Sequence, residues 1–217
     1  MIINGFGVSL ERLCEKDLEL VREKRNSQLI SQFMEFRGFI SPQIQQEWFA
    51  SINTINNLYY VISYNNKKVG LINGAKIDWQ KMETASGGIF IWEEELWQTY
   101  VPLMANMVLM DIAFLLGLKR SFVKIMNDNK RAIQYNTLLG YKVWSEEESD
   151  KSKIYVLDTE NYLQKTKTLR KYLHKNYGTD FEIIVDDADN QITQFLLEKV
   201  VNMPSEYRSK LNIVYGK

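Results

Sequence analysis

The chain has 217 residues, 45% of them hydrophobic and 12% aromatic, enough to bury the core of one ordinary domain with an appendage. Lys plus Arg and Asp plus Glu number 27 each, so there is no basic excess of the kind that holds nucleic acid. One cysteine, Cys14, and one histidine, His174, exclude a disulfide framework, CxxC-type metal clusters and a multi-histidine metal site.

No apolar run reaches the roughly 18 residues needed to cross a bilayer, and the first residues lack the basic-then-apolar order of a signal peptide. The expectation is a cytoplasmic protein with no membrane, nucleic-acid or metal partner, and a homodimer is compatible with it.

Residues 7–13 (GVSLERL) alternate and predict a strand with Val8 and Leu10 inward. Residues 14–27 bring Leu18, Leu20 and Val21 to helical spacing, and a second helical stretch covers 27–36. Ser41-Pro42 reads as the N-cap and first-turn proline of a third helix. Residues 58–66 and 67–79 predict a hairpin that turns at Asn65-Asn66, and 85–95 a further strand. Residues 101–118 form a strongly apolar helix stopped by Gly117. A strand at 120–126, a short helix in NDNKRAIQYNTLLGY (127–141) and strands at 141–148 and 152–158 follow. Residues 159–217 run helix, strand, helix, strand, and read as a small C-terminal α/β unit appended to a domain of residues 1–158.

In the short helix, Asp128 or Asn129 can cap the N-terminus, Ala132, Ile133, Leu138 and Leu139 supply a buried side, and Gly140 ends the helix where positive φ is wanted. Any αβ unit can look like this. The order around it is more specific: Asp111, Ala113, Phe114, Gly117 and Leu118 close the apolar helix, then Asn129, Ala132, Ile133, Tyr135, Gly140 and Tyr141 follow the next strand. This resembles the C-terminal half of the GNAT superfamily of acyl-CoA N-acyltransferases. DLELVREKRNS, SPQIQQEWF and the YYVI–KKVGLI hairpin are similar to the branch with ribosomal-protein N-terminal and nucleotide-amino-sugar N-acetyltransferases. The resemblance spans residue 7 to about 157 and leaves the C-terminal unit outside it.

The resemblance implies an α/β (α+β) fold with a mixed, splayed central sheet flanked by helices, and acetyl-CoA as co-substrate between the strands at 85–92 and 120–126. It implies that Ile89, Phe90, Ile91 and Trp92 offer backbone groups to the pantetheine arm, with Asn129 and Ala132 on the facing helix. Gln98, Thr99, Tyr100, Val101 and Leu103 would hold the pyrophosphate at the start of the apolar helix. Tyr135 stands where family members protonate the departing thiolate, a task that suits a phenol with an unperturbed pKa of about 10.

The loop departs from the family pattern. Tyr100 and Pro102 stand where glycines are expected; proline has no N–H to give, and a tyrosine Cβ hinders close approach of the backbone. Two readings therefore stay open: weakened but retained binding, or a non-catalytic binding or regulatory module built on the same fold.

Transfer to an amine needs a proton acceptor, for which Glu83, with Asp78 and Glu93, is a candidate near a strand end. Acceptor recognition in the resembled branch falls on the first helices, where Arg25, Asn26, Met34, Arg37 and Trp48 lie. Arg25 or Arg37 could fork onto an acidic group. The function expected is acetyl transfer from acetyl-CoA to a primary amine by direct attack, with a small or nucleotide-linked amino sugar preferred over a protein N-terminus.

Overall fold

The computed structural model describes residues 1–149 and 151–216, with 145–149 described by their backbone. In chain order the strands are β1 (Ile2–Gly5), β2 (Val8–Arg12), β3 (Leu58–Tyr64), β4 (Lys67–Asp78), β5 (Glu83–Ile91), β6 (Arg120–Met126), β7 (Lys142–Ser149), β8 (Ser152–Asp158), β9 (Phe181–Val185) and β10 (Leu211–Tyr215). The helices are α1 (Leu18–Asn26), α2 (Gln28–Ser31), α3 (Pro42–Ile52), α4 (Val101–Leu115), α5 (Lys130–Leu139), α6 (Thr159–Tyr177), α7 (Gln191–Val201) and α8 (Ser205–Arg208).

The strands form one sheet in the order β10-β9-β1-β2-β3-β4-β5-β6-β8-β7. Neighbours run antiparallel except β5 with β6 and β9 with β10. Alternation sorts the side chains onto two faces. Tyr60 and Ile62 of β3 and Ile91 of β5 share a core with α4, α5, α6 and α7, while Val61 and Trp92 share a second core with α1, α2 and α3.

Local chemistry accounts for the ends of the elements. Ser41 caps α3 by accepting the Ile44 N–H at 3.2 Å, and Pro42 opens its first turn. Asn65 and Asn66 both take positive φ, 50° and 61°, as the tight hairpin between β3 and β4 requires. Gly117, at φ 95°, stops α4. The structure corrects three expectations. The second helical stretch is a single turn, α2, because Ser27 at its start is extended and the chain beyond Ser31 does not continue the helix. The strand expected at 7–13 is half of a two-residue hairpin with β1, turned by Phe6 and Gly7 at positive φ. A short helix, α8, adds a turn before the last strand.

Of residues 159–217, expected as an appended unit, 159–216 continue the same sheet and core. Ile183 of β9 pairs with Ile3 of β1, and Ile213 of β10 pairs with Ile183. Beneath the sheet α6 is pinned to α4 at Asp111, which accepts the Tyr162 hydroxyl at 2.5 Å and both terminal nitrogens of Arg170. Burial keeps the Tyr162 phenol protonated, its pKa well above the ordinary tyrosine value.

Candidate active site

The pairing of β5 with β6 is confined to two positions, Glu83 with Arg120 and Thr84 with Ser121. Beyond them the two strands diverge, each still paired on its outer side, β5 with β4 and β6 with β8. At the apex Thr84 Oγ1 donates to Ser121 Oγ at 3.1 Å, and the Tyr141 hydroxyl lies 3.0 Å from the same oxygen. Burial pushes the Tyr141 phenol up to about 12, so it serves as a neutral clasp. The opening continues into a cavity of about 790 Å³ that runs beneath α4.

Along an antiparallel strand the backbone groups alternate between the two neighbours. The Trp92 N–H bonds to the Val69 carbonyl of β4, at 2.9 Å, so the backbones of Ile91, Ile89 and Gly87 turn the other way, into the slot. The Ile91 carbonyl is already taken by the Trp97 indole at 2.8 Å, which leaves Ile89 as the main unpaired backbone among the four residues expected there. Phe90 is also among the cavity-lining residues. Trp92 does not reach the cavity: it is buried in the core of the opposite face, with its indole N–H on the Lys68 carbonyl.

The slot ends at the N-terminus of α4. Here Thr99 Oγ1 accepts the Val101 N–H at 3.2 Å, Pro102 has no N–H, and the Met104 N–H closes on Tyr100, so Leu103 holds the amide left over for a ligand in that turn. Gln98, Thr99 and Leu103 line the cavity. Tyr100 and Val101, expected with them, do not: the Tyr100 ring tilts against Tyr172 of α6, and Val101 is buried in the core. Positive charge arrives from elsewhere. Arg131, in the first turn of α5, lies over the Trp97 ring at 4.2 Å and lines the cavity beside Gln98. Arg131 lies outside the loop segment, and its place two residues after the helix-capping Asn129 is the local signal for it. Glu93, a candidate proton acceptor, is instead paired with Lys67 at 2.6 Å and Lys24 at 3.8 Å.

Asn129 caps α5 by accepting the Ala132 N–H at 3.0 Å, and Asn129, Ala132 and Tyr135 all line the cavity. The Tyr135 hydroxyl donates to the Pro102 carbonyl at 2.8 Å, tying α5 to the first turn of α4. Burial holds this phenol well above the ordinary tyrosine range, so it is a proton carrier and not a base. Two further polar side chains face the same space. Asn136 donates to the Ala132 carbonyl, and Asn106 of α4 has a buried Oδ1 with no partner among the described residues.

On the acceptor side, Met34 lines the cavity, and Arg25 lies against Phe90 at 5.8 Å with a buried Nη1 that has no partner among the described residues. The loop after α2 reaches across to the far side of the slot through Glu35 with Lys124 at 2.7 Å and Arg37 with Asp128 at 3.9 Å. Asn26 and Trp48 are structural here. Asn26 clamps the backbone of Ile40 through two 2.8 Å bonds, and Trp48 packs edge-on against Tyr59. Glu83 is not among the cavity-lining residues and is held by Arg120, at 2.5 and 2.7 Å, so this geometry gives it no route to an amine. Asp78 caps its own turn by accepting the Gln80 and Lys81 N–H groups. No cluster of His, Cys, Asp and Glu suited to a metal ion, and no helix long and apolar enough to cross a membrane, occurs among the described residues.

An antiparallel sheet opened between two parallel strands, with a helix N-terminus at the mouth of the opening, is the fold of the GNAT acyltransferases, and this chain has that fold. The solved structures it resembles include N-acetyltransferases of that fold. The apo form of FdhC, described as a nucleotide-linked sugar GNAT, matches with TM-score 0.66 at 16% identity over 80% of this chain and 98% of its own. RimL, the ribosomal L7/L12 α-N-protein acetyltransferase in complex with coenzyme A, matches with TM-score 0.64 at 13% identity over 74% and 99%. Spermidine N-acetyltransferase from Vibrio cholerae, bound to CoA and spermine, matches with TM-score 0.60 at 19% identity over 72% and 98%. No protein-family model matches the chain. No curated protein matches it either.

Proposed function

We propose that the chain is an acyl-CoA N-acyltransferase that moves an acyl group, acetyl in the simplest case, onto a primary amine. The observation that carries this reading is the unpaired inner edge of β5 facing β6, which leads from the N-terminus of α4 to the protonated Tyr135. An extended amide-bearing arm is what such an edge pairs with. Ile89 would meet that arm, while Gln98, Thr99, the Leu103 N–H and Arg131 would hold the pyrophosphate, with the guanidinium supplying the charge that the loop lacks. CoA bound in RimL and in the Vibrio cholerae enzyme supports the same use of the fold here.

In the reaction a neutral amine attacks the thioester carbonyl, the C–S bond breaks, and an amide forms. Tyr135 gives its proton to the departing thiolate, leaving its bond to Pro102 to do so. The proton lost by the amine passes to water, because Glu35, the one carboxylate on the cavity wall among the described residues, is paired with Lys124. For the acceptor, a small amino sugar, nucleotide-linked if acidic, ranks ahead of a protein N-terminus. FdhC, described as a nucleotide-linked sugar GNAT, supports that ranking, while Arg25 stands behind Phe90 and is not on the cavity wall.

The test is isothermal titration of the purified chain with CoA and acetyl-CoA, followed by an amine panel with thiol release as readout. Micromolar binding and turnover of an amino sugar are expected. No binding at millimolar CoA would favour the second reading, a non-catalytic module, which the occupied Val101 amide and Pro102 in the first turn of α4 motivate.

A further inference from the structure

The cavity is longer than the slot that opens it. From Gly87 to Ile91 the free edge of β5 covers about 13 Å at about 3.3 Å per residue. The cavity wall on α4 runs from Pro102 to Leu116, about 21 Å at about 1.5 Å per residue. The surplus lies beside the slot, under α4, on the strand positions level with it: Gly74 pairs with Gly87 and Leu58, and Ile72 pairs with Ile89 and Tyr60. It crosses β4 and β3 toward Met1 and Ile3 of the N-terminal strand, a span on the order of 19 Å at about 4.8 Å per strand.

The walls of this side arm are apolar. Leu58, Tyr60 and Ile77 floor it, and Leu196, Leu197 and Val200 of α7 close its far end. Its α7 wall comes from the segment beyond residue 158, outside the sequence resemblance. Gly74, on the floor, leaves the arm open: a Cβ built there would meet only Thr84 Cγ2, at 3.7 Å. An acetyl group adds two carbons to the pantetheine arm, too few to cross from β5 to β1.

We infer that the side arm is an acyl-chain pocket, and that the preferred donor is a medium-chain acyl thioester of CoA with a linear apolar chain, short enough to lie within the arm's span. This rests on the acyltransferase reading, which places the thioester at the slot. The chain is drawn in by removal of its methylenes from water, and the clasp residues Thr84, Ser121 and Tyr141 supply a polar collar where the carbonyl stops.

Titration of the full chain with CoA, acetyl-CoA and octanoyl-CoA tests it. Each buried methylene is worth about 4-fold in affinity, and ordering of the chain takes part of that back, so octanoyl-CoA is expected to bind about 30-fold or more tighter than acetyl-CoA. Gly74→Val, which suits a strand and fills the arm near its entrance, is expected to abolish that advantage while CoA itself binds as before. Leu197→Trp at the far end is the second variant, and circular dichroism confirms that both fold. Equal affinity for the three ligands would overturn the inference and leave the acyltransferase reading standing. A chain-length advantage that survives both substitutions would place the chain elsewhere and overturn it too. Failure of every CoA species to bind would overturn both.

Discussion

Tyr135 is the residue on which the proposed chemistry turns. Its hydroxyl is buried against the Pro102 carbonyl, and burial raises its pKa well above the ordinary range, so the acid form is present at neutral pH. Tyr135→Phe removes the proton and keeps the ring. Turnover is expected to fall about 100-fold, the low end of general-acid contributions, while CoA affinity stays within about 3-fold, since the phenol gives up only one neutral hydrogen bond. Steady-state kinetics beside titration separate the two, and turnover equal to that of the parent would remove Tyr135 as the acid. Its neighbourhood was legible because capping and i,i+3 spacing are local properties. Arg131 and Arg25 were harder to read. A guanidinium over Trp97 and another stranded beneath Phe90 are consequences of packing between elements far apart in the chain.

At the scale of the element, the proposed function has the first turn of α4 decide how well a pyrophosphate is held. Tyr100 sits at φ −76°, a conformation open to any residue, so what glycine would add there is room for close approach and not a special backbone angle. Pro102 subtracts an N–H. The double variant Tyr100→Gly, Pro102→Gly restores both. One added charge-assisted hydrogen bond is worth roughly 1.5–3 kcal/mol, and loss of helix propensity offsets part of it, so CoA is expected to bind about 10-fold tighter. Unchanged affinity by titration would show that the phosphates lie elsewhere than on this turn. The missing glycines were plain from the sequence. The compensation for them was not, since Arg131 belongs to α5 and is brought to the loop by the turn after β6.

At the scale of the whole molecule, the C-terminal residues are welded to the domain. Two strands extend the sheet beyond β1, and Asp111 gathers Arg170 and Tyr162 of α6 beneath it. Asp111→Asn keeps the shape and removes the charge, leaving a largely buried guanidinium without its counter-ion. Breaking a buried pair this way costs about 3 kcal/mol or more, which is expected as a lower urea midpoint and as faster proteolysis within α6. A midpoint equal to that of the parent would show that water screens the pair. Asp111 was noticed in the sequence as part of a motif, while its role as the anchor of the last third of the chain became visible only when its partners, 51 and 59 residues away, were placed.

What the sequence by itself determined is what local rules control. The Asn65-Asn66 turn, the Ser41-Pro42 start of α3, the Asn129 cap, the Gly117 and Gly140 stops and the order of the strands from β2 to β8 follow from caps, turns and alternation, which act over a few residues. What only the tertiary structure decided is which of those residues face one another. The divergence of β5 from β6 after two pairs set the slot, and alternation in β5 aimed Ile89 into it and turned Trp92 away. The pairing of β9 with β1 carried α7 over the far end of the cavity. Strand pairing across 180 residues is chosen by the free energy of burying the shared core, a sum over the whole chain, and no window of sequence contains it.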